Sequence, residues 1–358
     1  MDVSTAAEVP GIDRSRVAEW LVDHLPGLAA PLSFTRVGEG QSNLTFRVGD
    51  AAGRAVVVRR PPLGEILASA HDVAREHRIL TALAAAGARV PQPLGLCTDP
   101  EVTGAPFYAM EHVDGLVLSH VAIAEQLEPT ARTAVGLGLA ATLAGFHALG
   151  VEQIGLGDLQ RPESLAGRQL RRWRRQWEAS KTRELPLVDE LADRFAAALP
   201  EERERVLVHG DYHLGNALVS AAGDVRAVLD WELCSVGDPN ADVGLFVAYW
   251  NEFGAGGSGR GGLFPEAVTA LSGFPTASEL LAEYARVSRR ELDNLDFWIA
   301  FAYWKIAIIV EGVYRRWLID PLNGSDAGTL QPAVARLVEL AADALGGREV
   351  FRPPAMPY

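Results

Sequence analysis

Only two cysteines, Cys97 and Cys234, occur in the chain, far apart and in apolar surroundings, so neither a disulfide framework nor a zinc ribbon can be built. A reducing cytoplasm is the expected compartment. Positive charge is also scarce: 33 Lys and Arg stand against 46 Asp and Glu, a formal charge of −13. That deficit argues against nucleic acid or an anionic membrane as partner and leaves a neutral or cationic small molecule as the easier one. Long hydrophobic runs are missing too. The longest, Phe297 to Val310, is interrupted by Lys305 and falls short of the roughly 20 residues a bilayer span needs, so a buried helix is expected there. The start, Met1-Asp2-Val3-Ser4, has no basic segment leading into an apolar one, so no secretory signal is expected.

What is present suffices for a large core: 358 residues, 48% of them apolar, allow one large domain or two lobes. Residues 13 to 25 have apolar positions at helical spacing (Val17, Trp20, Leu21), and short β-branched and aromatic runs follow at 32–37, 44–48 and 55–58, an expected antiparallel meander. A helix is expected from about Ser69 to Ala86, then strands at 93–97 and 107–112. From Asp114 the pattern is mainly helical, broken by strand-like segments at 206–209, 217–219 and 225–229. The reading is α+β, with a sheet-rich front part, residues 1–112, and a larger helical rear part, residues 113–358. The glycine-rich stretch from Asn251 to Pro265 reads as a loop; its G-x-G-x-x-G spacing follows a helix-like segment rather than a strand, which disfavours a dinucleotide site.

The most informative stretch is His209-Gly210-Asp211-Tyr212-His213-Leu214-Gly215-Asn216, followed by Val228-Leu229-Asp230-Trp231-Glu232. Phosphoryl transfer needs a carboxylate to orient the attacking hydroxyl and oxygen ligands for the metal ions that neutralise the phosphates. Protein kinases place these groups as H-x-D, an Asn five positions on, and a metal-binding Asp at a strand end. Asp211 and Asn216 are five apart, and Asp230 lies fourteen further on, directly after an apolar run. Two other readings compete: ordinary turn residues, or a metallohydrolase in which the alternating His209, Asp211 and His213 face one way on a strand. Gly210 and Gly215 favour a loop, and the metallohydrolase reading leaves Asn216 and Asp230 without roles.

The front part adds independent features. Gly38-Glu39-Gly40-Gln41-Ser42-Asn43 lies between two strand-like runs, where backbone N–H groups and Ser42 can meet ATP phosphates. The next strand ends in Arg59, a cation suited to bidentate phosphate binding. On the following helix Val73, Glu76, Leu80 and Leu83 share one stripe, and a carboxylate on an apolar face needs a partner, for which Arg59 is the candidate.

Taken together, Gly40-Gln41-Ser42-Asn43-Leu44-Thr45, Val58-Arg59-Arg60-Pro61-Pro62, Ser69-Ala70-His71-Asp72, Leu96-Cys97-Thr98-Asp99, Pro106-Phe107-Tyr108-Ala109-Met110-Glu111 and Leu229-Asp230-Trp231-Glu232-Leu233 give a chain that resembles the aminoglycoside phosphotransferase (choline kinase-like) superfamily over nearly its whole length. It is most similar to the branch whose kinase domains also occur alongside acyl-CoA dehydrogenases. The resemblance implies a protein-kinase-like two-lobed fold, ATP and Mg2+ as cofactors, Asp211 as catalytic carboxylate, and Asn216 and Asp230 as metal ligands. Gly40, Ser42, Asn43, Arg59 and Glu76 would serve the phosphates, and Met110, Glu111 and His112 would form the hinge whose backbone binds adenine. Arg59 departs from the Lys of the antibiotic kinases. The implied acceptor is a small-molecule hydroxyl, on an antibiotic or a hydroxyacyl-CoA; a pseudokinase that binds nucleotide as a regulatory module is the alternative.

Other residues have mainly structural readings. Asp238-Pro239 reads as a helix N-cap with Asp242 in the first turn, and His147 as a core histidine. The helix expected from Arg168 to Arg183 gathers seven cations around Trp173 and Trp177, either an anion-recognising surface or a solvated basic face. Trp298, Phe301, Tyr303 and Trp304 read as pocket lining or core.

Overall fold

The computed structural model describes residues 11–37, 43–61, 72–252, 268–319 and 327–347. The chain divides into two compact units, Met1–Asp114 and Gly115–Tyr358. The first opens with α1 (Arg14–His24), which starts where the Asp13 side chain accepts the Arg16 N–H at 3.1 Å. Strands β1 (Ser33–Arg36), β2 (Leu44–Gly49) and β3 (Ala55–Arg60) follow as antiparallel neighbours. Then come α2 (Val73–Ala85), β4 (Pro93–Cys97), the short α3 (Pro100–Thr103) and β5 (Phe107–Glu111). The sheet order is β1-β2-β3-β5-β4, antiparallel throughout, so β5 is inserted beside β3 and the last strand in sequence is not the edge.

Alternation explains how this sheet builds its core. Leu44, Phe46 and Val48 of β2 point one way, and they join Val56 and Val58 of β3, Phe107 and Ala109 of β5, and Val17 and Leu21 of α1 in one buried cluster. α2 packs against β4 and β5 through a stripe that includes Ile79, Leu80 and Leu83. It begins at Val73 rather than at the expected Ser69, because the Asp72 carboxylate caps it by accepting the Arg75 N–H at 2.9 Å. Residues 69–71 lie outside the described residues.

The second unit contains α4 (Val121–Ala124), α5 (Pro129–His147), α6 (Leu165–Ser180) and α7 (Pro186–Ala197), then strands β6 (Val206–Val208), β7 (Ala217–Val219), β8 (Val225–Val228) and β9 (Ser235–Gly237). The helices α8 (Asn240–Glu252), α9 (Ala277–Ser288), α10 (Leu295–Ile319) and α11 (Ala327–Leu345) complete it. The strands form two antiparallel pairs, β6 with β9 and β7 with β8. α6 stops at Ser180, not at Arg183, since Lys181 turns to extended backbone.

α10 is the centre of this unit and packs on α6, α8 and α11. Among the described residues it is the one helix long and apolar enough to cross a membrane, yet 83% of its most apolar window is buried inside the unit. It serves as the core helix that the sequence led one to expect. The aromatic stripe is core as well: Phe195 of α7 meets Phe297, Phe301 and Trp304 with ring centroids 5.4, 5.3 and 5.5 Å away. At Gly244 of α8 a Cβ would lie 2.6 Å from the Trp298 carbonyl carbon, so the missing side chain is what lets α8 and α10 approach.

Candidate active site

The loop after β6 is held by its backbone. Asp242, fully buried in the first turn of α8, accepts the His209 N–H at 2.6 Å and the Gly210 N–H at 2.8 Å. From α10 the Lys305 ammonium donates to the Gly210 carbonyl at 2.8 Å. Gly210 itself has φ +85°, and a Cβ there would come within 2.8 Å of the Leu233 carbonyl oxygen. The His209 ring uses both nitrogens: Nε2 donates to the Leu229 carbonyl at 2.9 Å and Nδ1 accepts the Asp211 N–H at 3.1 Å. That is the pattern of a neutral imidazole, and burial, opposed by Asp242, lowers its pKa to match.

Burial alone would raise the Asp242 carboxyl pKa, but a hydrogen bond and charge from His147, with His209 and the Gly210 N–H, outweigh it and hold it below the usual range. His147 is the core histidine expected, with Nε2 at 3.3 Å from Asp242 and Nδ1 at 2.8 Å from the Tyr284 hydroxyl.

Asp211 emerges from this clamp. The Asn216 Nδ2 donates to the Asp211 carboxylate at 3.1 Å and to its carbonyl at 2.9 Å, while His213 Nε2 lies 3.5 Å from the carboxylate. Burial pushes Asp211 up, yet His213, Lys305 and His209 prevail and keep it ionised well below the ordinary carboxylate range. Asn216 then starts the β7–β8 pairing: the Leu229 N–H donates to the Asn216 carbonyl at 2.8 Å. Asp230 is the next residue, in left-handed backbone with φ 65°, a conformation uncommon outside glycine and enriched at functional sites. Asp211 and Asn216 therefore touch, and the backbone bearing Asp230 is tied to Asn216.

In the first unit, Arg59 Nε lies 3.2 Å from Glu76 Oε2, and the two side chains are 9% and 1% exposed. Asn43 is buried. Gly40 and Ser42 lie outside the described residues, as does most of the glycine-rich stretch after α8. Met110 is buried in β5 opposite Val57, Glu111 is exposed with its N–H donating to the Gln92 carbonyl at 2.8 Å, and His112 Nδ1 lies 3.4 Å from Asp114.

The metallohydrolase alternative finds no support in this geometry. Among the described residues no three His, Cys, Asp or Glu side chains are grouped to hold a metal, and His209 and His213 brace the loop instead. Most cations around α6 are also engaged: Arg171 with Glu163, Arg174 with Asp193, Lys181 with Glu178, and Arg183 with Glu311. Trp173 and Trp177 are buried beneath them, and Arg172 lies over the Trp173 ring at 5.5 Å.

Beside His213 opens a cavity of about 330 Å³, lined among others by Leu118, Leu214, Phe246, Tyr249 and Trp250. No acidic residue lines it among the described residues. The His213 ring packs on Tyr249 at 4.6 Å, and the Tyr249 phenol is pushed well up in pKa by burial and by the charge of Asp211. Sequence reasoning missed the cavity and the loop-holding roles of Asp242 and Lys305. Their only sequence signals were a charge in a helix first turn and a charge in an apolar run.

An α+β fold with an antiparallel five-stranded sheet, a helical second unit and an H-x-D…N loop joined to a strand-end Asp defines the class of protein-kinase-like phosphotransferases. Within it the chain belongs to the phosphotransferase enzyme family, whose sequence profile matches residues 33–270. Acyl-CoA dehydrogenase family member 11 of Gallus gallus is 34% identical over 91% of this chain, and member 10 of Mus musculus is 33% identical over 90%. The chain spans 43% and 30% of the length of those relatives. A provisionally named aminoglycoside phosphotransferase from Ralstonia eutropha JMP134 is similar in structure at TM-score 0.76 and 29% identity, covering 93% of this chain and 98% of that one. Aminoglycoside phosphotransferase APH(4)-Ia, in ternary complex with AMP-PNP and hygromycin B, shares the fold at TM-score 0.58 and 16% identity, covering 92% and 99%.

Proposed function

We propose that the chain is an ATP- and magnesium-dependent small-molecule kinase that moves the γ-phosphoryl group to a hydroxyl, residues 1–112 binding the nucleotide and residues 113–358 supplying catalysis and the acceptor site. The observation behind this reading is the Asp211–Asn216 contact at 3.1 Å on a loop whose backbone is anchored from two helices. Asp211 accepts the hydrogen bond of the acceptor hydroxyl and orients its oxygen for in-line attack; the O–P bond forms as the bond to the β,γ-bridging oxygen breaks, ADP leaves, and the hydroxyl proton passes to Asp211. Held ionised, Asp211 is ready to accept that hydrogen bond.

The donor set fits the expected cation. The Nδ2 of Asn216 is taken by Asp211, which leaves the amide oxygen as its ligand atom, and Asp230 adds a carboxylate. One amide and one carboxylate suit Mg2+, which is hard, prefers oxygen, and takes its remaining ligands from water and phosphates. When bound, the ion neutralises charge on the phosphates. Arg59, steadied by Glu76, is the phosphate-side cation, with Gly40, Ser42 and Asn43 in the same service and Met110, Glu111 and His112 along the adenine.

The cavity beside His213 favours one acceptor class over the other. A polycationic aminosugar would find no carboxylate among its described lining residues, whereas the apolar acyl chain of a hydroxyacyl-CoA gains burial. A cytoplasmic location completes the proposal. The pseudokinase reading draws on Arg59 standing where antibiotic kinases have Lys. The test is incubation with MgATP and a panel of hydroxyacyl-CoAs and aminoglycosides, with mass detection of phosphorylated product. A phosphorylated hydroxyacyl-CoA is expected, with turnover reduced at least about 1,000-fold in Asp211→Asn at unchanged nucleotide affinity. Nucleotide binding without product across the panel would favour the regulatory module, and undiminished turnover in Asp211→Asn would defeat the assignment of the catalytic carboxylate.

A further inference from the structure

Lys305 is a buried charge of the second unit whose place in an apolar helix calls for a reason. It is 8% exposed and sits in α10 among residues that are otherwise apolar or aromatic and buried, from Phe297 to Ile308. Burying an ammonium costs several kcal/mol, roughly, unless its partners compensate, and a Met or Leu would fill the same space without that penalty. Its partners all belong to one neighbourhood. Nζ donates to the Gly210 carbonyl at 2.8 Å and lies 5.6 Å from the Trp173 ring centroid of α6. The charges that act on it are the carboxylates of Asp211 and Asp242 and, with opposite effect, the guanidinium of Arg172.

The placement matters because of what Gly210 is. With φ +85° and no side chain, its backbone has more conformational freedom of its own than that of a residue with a Cβ, and it lies one residue before Asp211. Asp242 fixes the peptide on its N-terminal side through the Gly210 N–H at 2.8 Å. The peptide on its C-terminal side, which joins Gly210 to Asp211, has its carbonyl held by Lys305. Rotation of that peptide would swing Asp211 away from an acceptor, while Arg59 and Glu76, the residues assigned to the phosphates in the first unit, have no bond to it.

We infer that Lys305 is a positioning residue for phosphoryl transfer, fixing the Gly210–Asp211 peptide from α10 so that Asp211 faces the acceptor hydroxyl. The inference rests on Asp211 being the catalytic carboxylate. It predicts a split between turnover and affinity that simple core packing does not, since a misplacement of about 1 Å costs on the order of 100-fold in rate.

The experiment compares the full chain with Lys305→Met, which keeps volume but has no donor, and Lys305→Gln, which restores an N–H donor without the charge. Initial rates of MgATP hydrolysis, with water as acceptor, give kcat and KM for ATP; thermal unfolding and amide hydrogen exchange at Gly210 and Asp211 are measured alongside. Expected are a kcat about 100-fold lower in Met at a KM within about twofold, recovery of at least about tenfold in Gln, and faster exchange at the two amides in Met. A folded Met variant with the kcat of the parent overturns the inference, as does a fall in kcat that follows thermal stability equally in both variants. Should Met fail to fold, Gln is judged against the parent: a kcat reduced at unchanged KM supports positioning, and parental kcat with parental exchange overturns it. Where the parent shows no turnover with water, the Asp211 assignment is judged by the acceptor panel, and exchange decides for Lys305, with faster rates at Gly210 and Asp211 in Met supporting its role and unaltered rates in the variants overturning it.

Discussion

Replacing Asp242 with Asn tests how the loop is held while changing almost no volume. The carboxylate receives N–H donors from His209 and Gly210 at 2.6 and 2.8 Å and a third contact from His147 at 3.3 Å, in full burial. An amide keeps one acceptor oxygen and turns an NH2 group toward a donor, so one charged hydrogen bond is lost and one buried N–H is left facing another donor. Hydrogen bonds to charged groups contribute about 1.5–3 kcal/mol and a stranded buried donor costs about 1–3 kcal/mol, so a loss of roughly 3–5 kcal/mol is expected. Urea unfolding followed by tryptophan fluorescence measures it. The pH dependence adds a second check with a definite sign. The folded pKa of Asp242 is depressed, so its contribution is complete above the unfolded value of about 3.9 and is lost as pH falls through the folded pKa. The gap between parent and variant should accordingly be constant near neutrality and close below about pH 4. A gap under about 1 kcal/mol at pH 7, or one that persists unchanged into acid, would refute the clamp.

Gly210→Ala should destabilise by about 2–3 kcal/mol and reduce turnover with it, because left-handed backbone and a 2.8 Å approach to the Leu233 carbonyl act together; denaturant melts and rates check this. Glu76→Ala removes a buried carboxylate partner of the Arg59 guanidinium and should cost roughly 3–5 kcal/mol, whereas the double change Arg59→Met with Glu76→Leu should cost less, an ordering read from unfolding midpoints. Ser119→Asp places a charge at the wall of the cavity beside His213 and should raise KM for an apolar acceptor about tenfold or more while leaving KM for ATP unchanged.

Local and periodic features were readable before the structure. Glu76 announced its partner because a carboxylate on an apolar helical stripe is costly, and β2 and α1 followed from spacings of two and four. Asp211 and Asn216 were visible because the geometry of one loop compresses into a five-residue interval. Asp242 was legible as a first-turn residue but not as the holder of a loop 32 and 33 positions away, since one first-turn acid looks like another until the chain has folded. β9, three residues including a Ser and a Gly, has no alternation to detect and exists only because β6 lies beside it. The insertion of β5 beside β3 is likewise a pairing choice that no single strand encodes.

The loop that bears Asp211 hangs from α8 and α10 at its rear, through Asp242 and Lys305, while the cavity is walled in front by such residues as Leu118, Ser119 and Thr269, which supply none of those anchoring bonds. The rest of the lining is shared with the machinery, since His213, Leu214 and Gly215 belong to the loop and Phe246, Tyr249 and Trp250 to α8. Substitutions at Leu118, Ser119 or Thr269 can therefore reshape one side of the cavity while every bond that suspends Asp211 stays in place, so that part of the wall is free to vary.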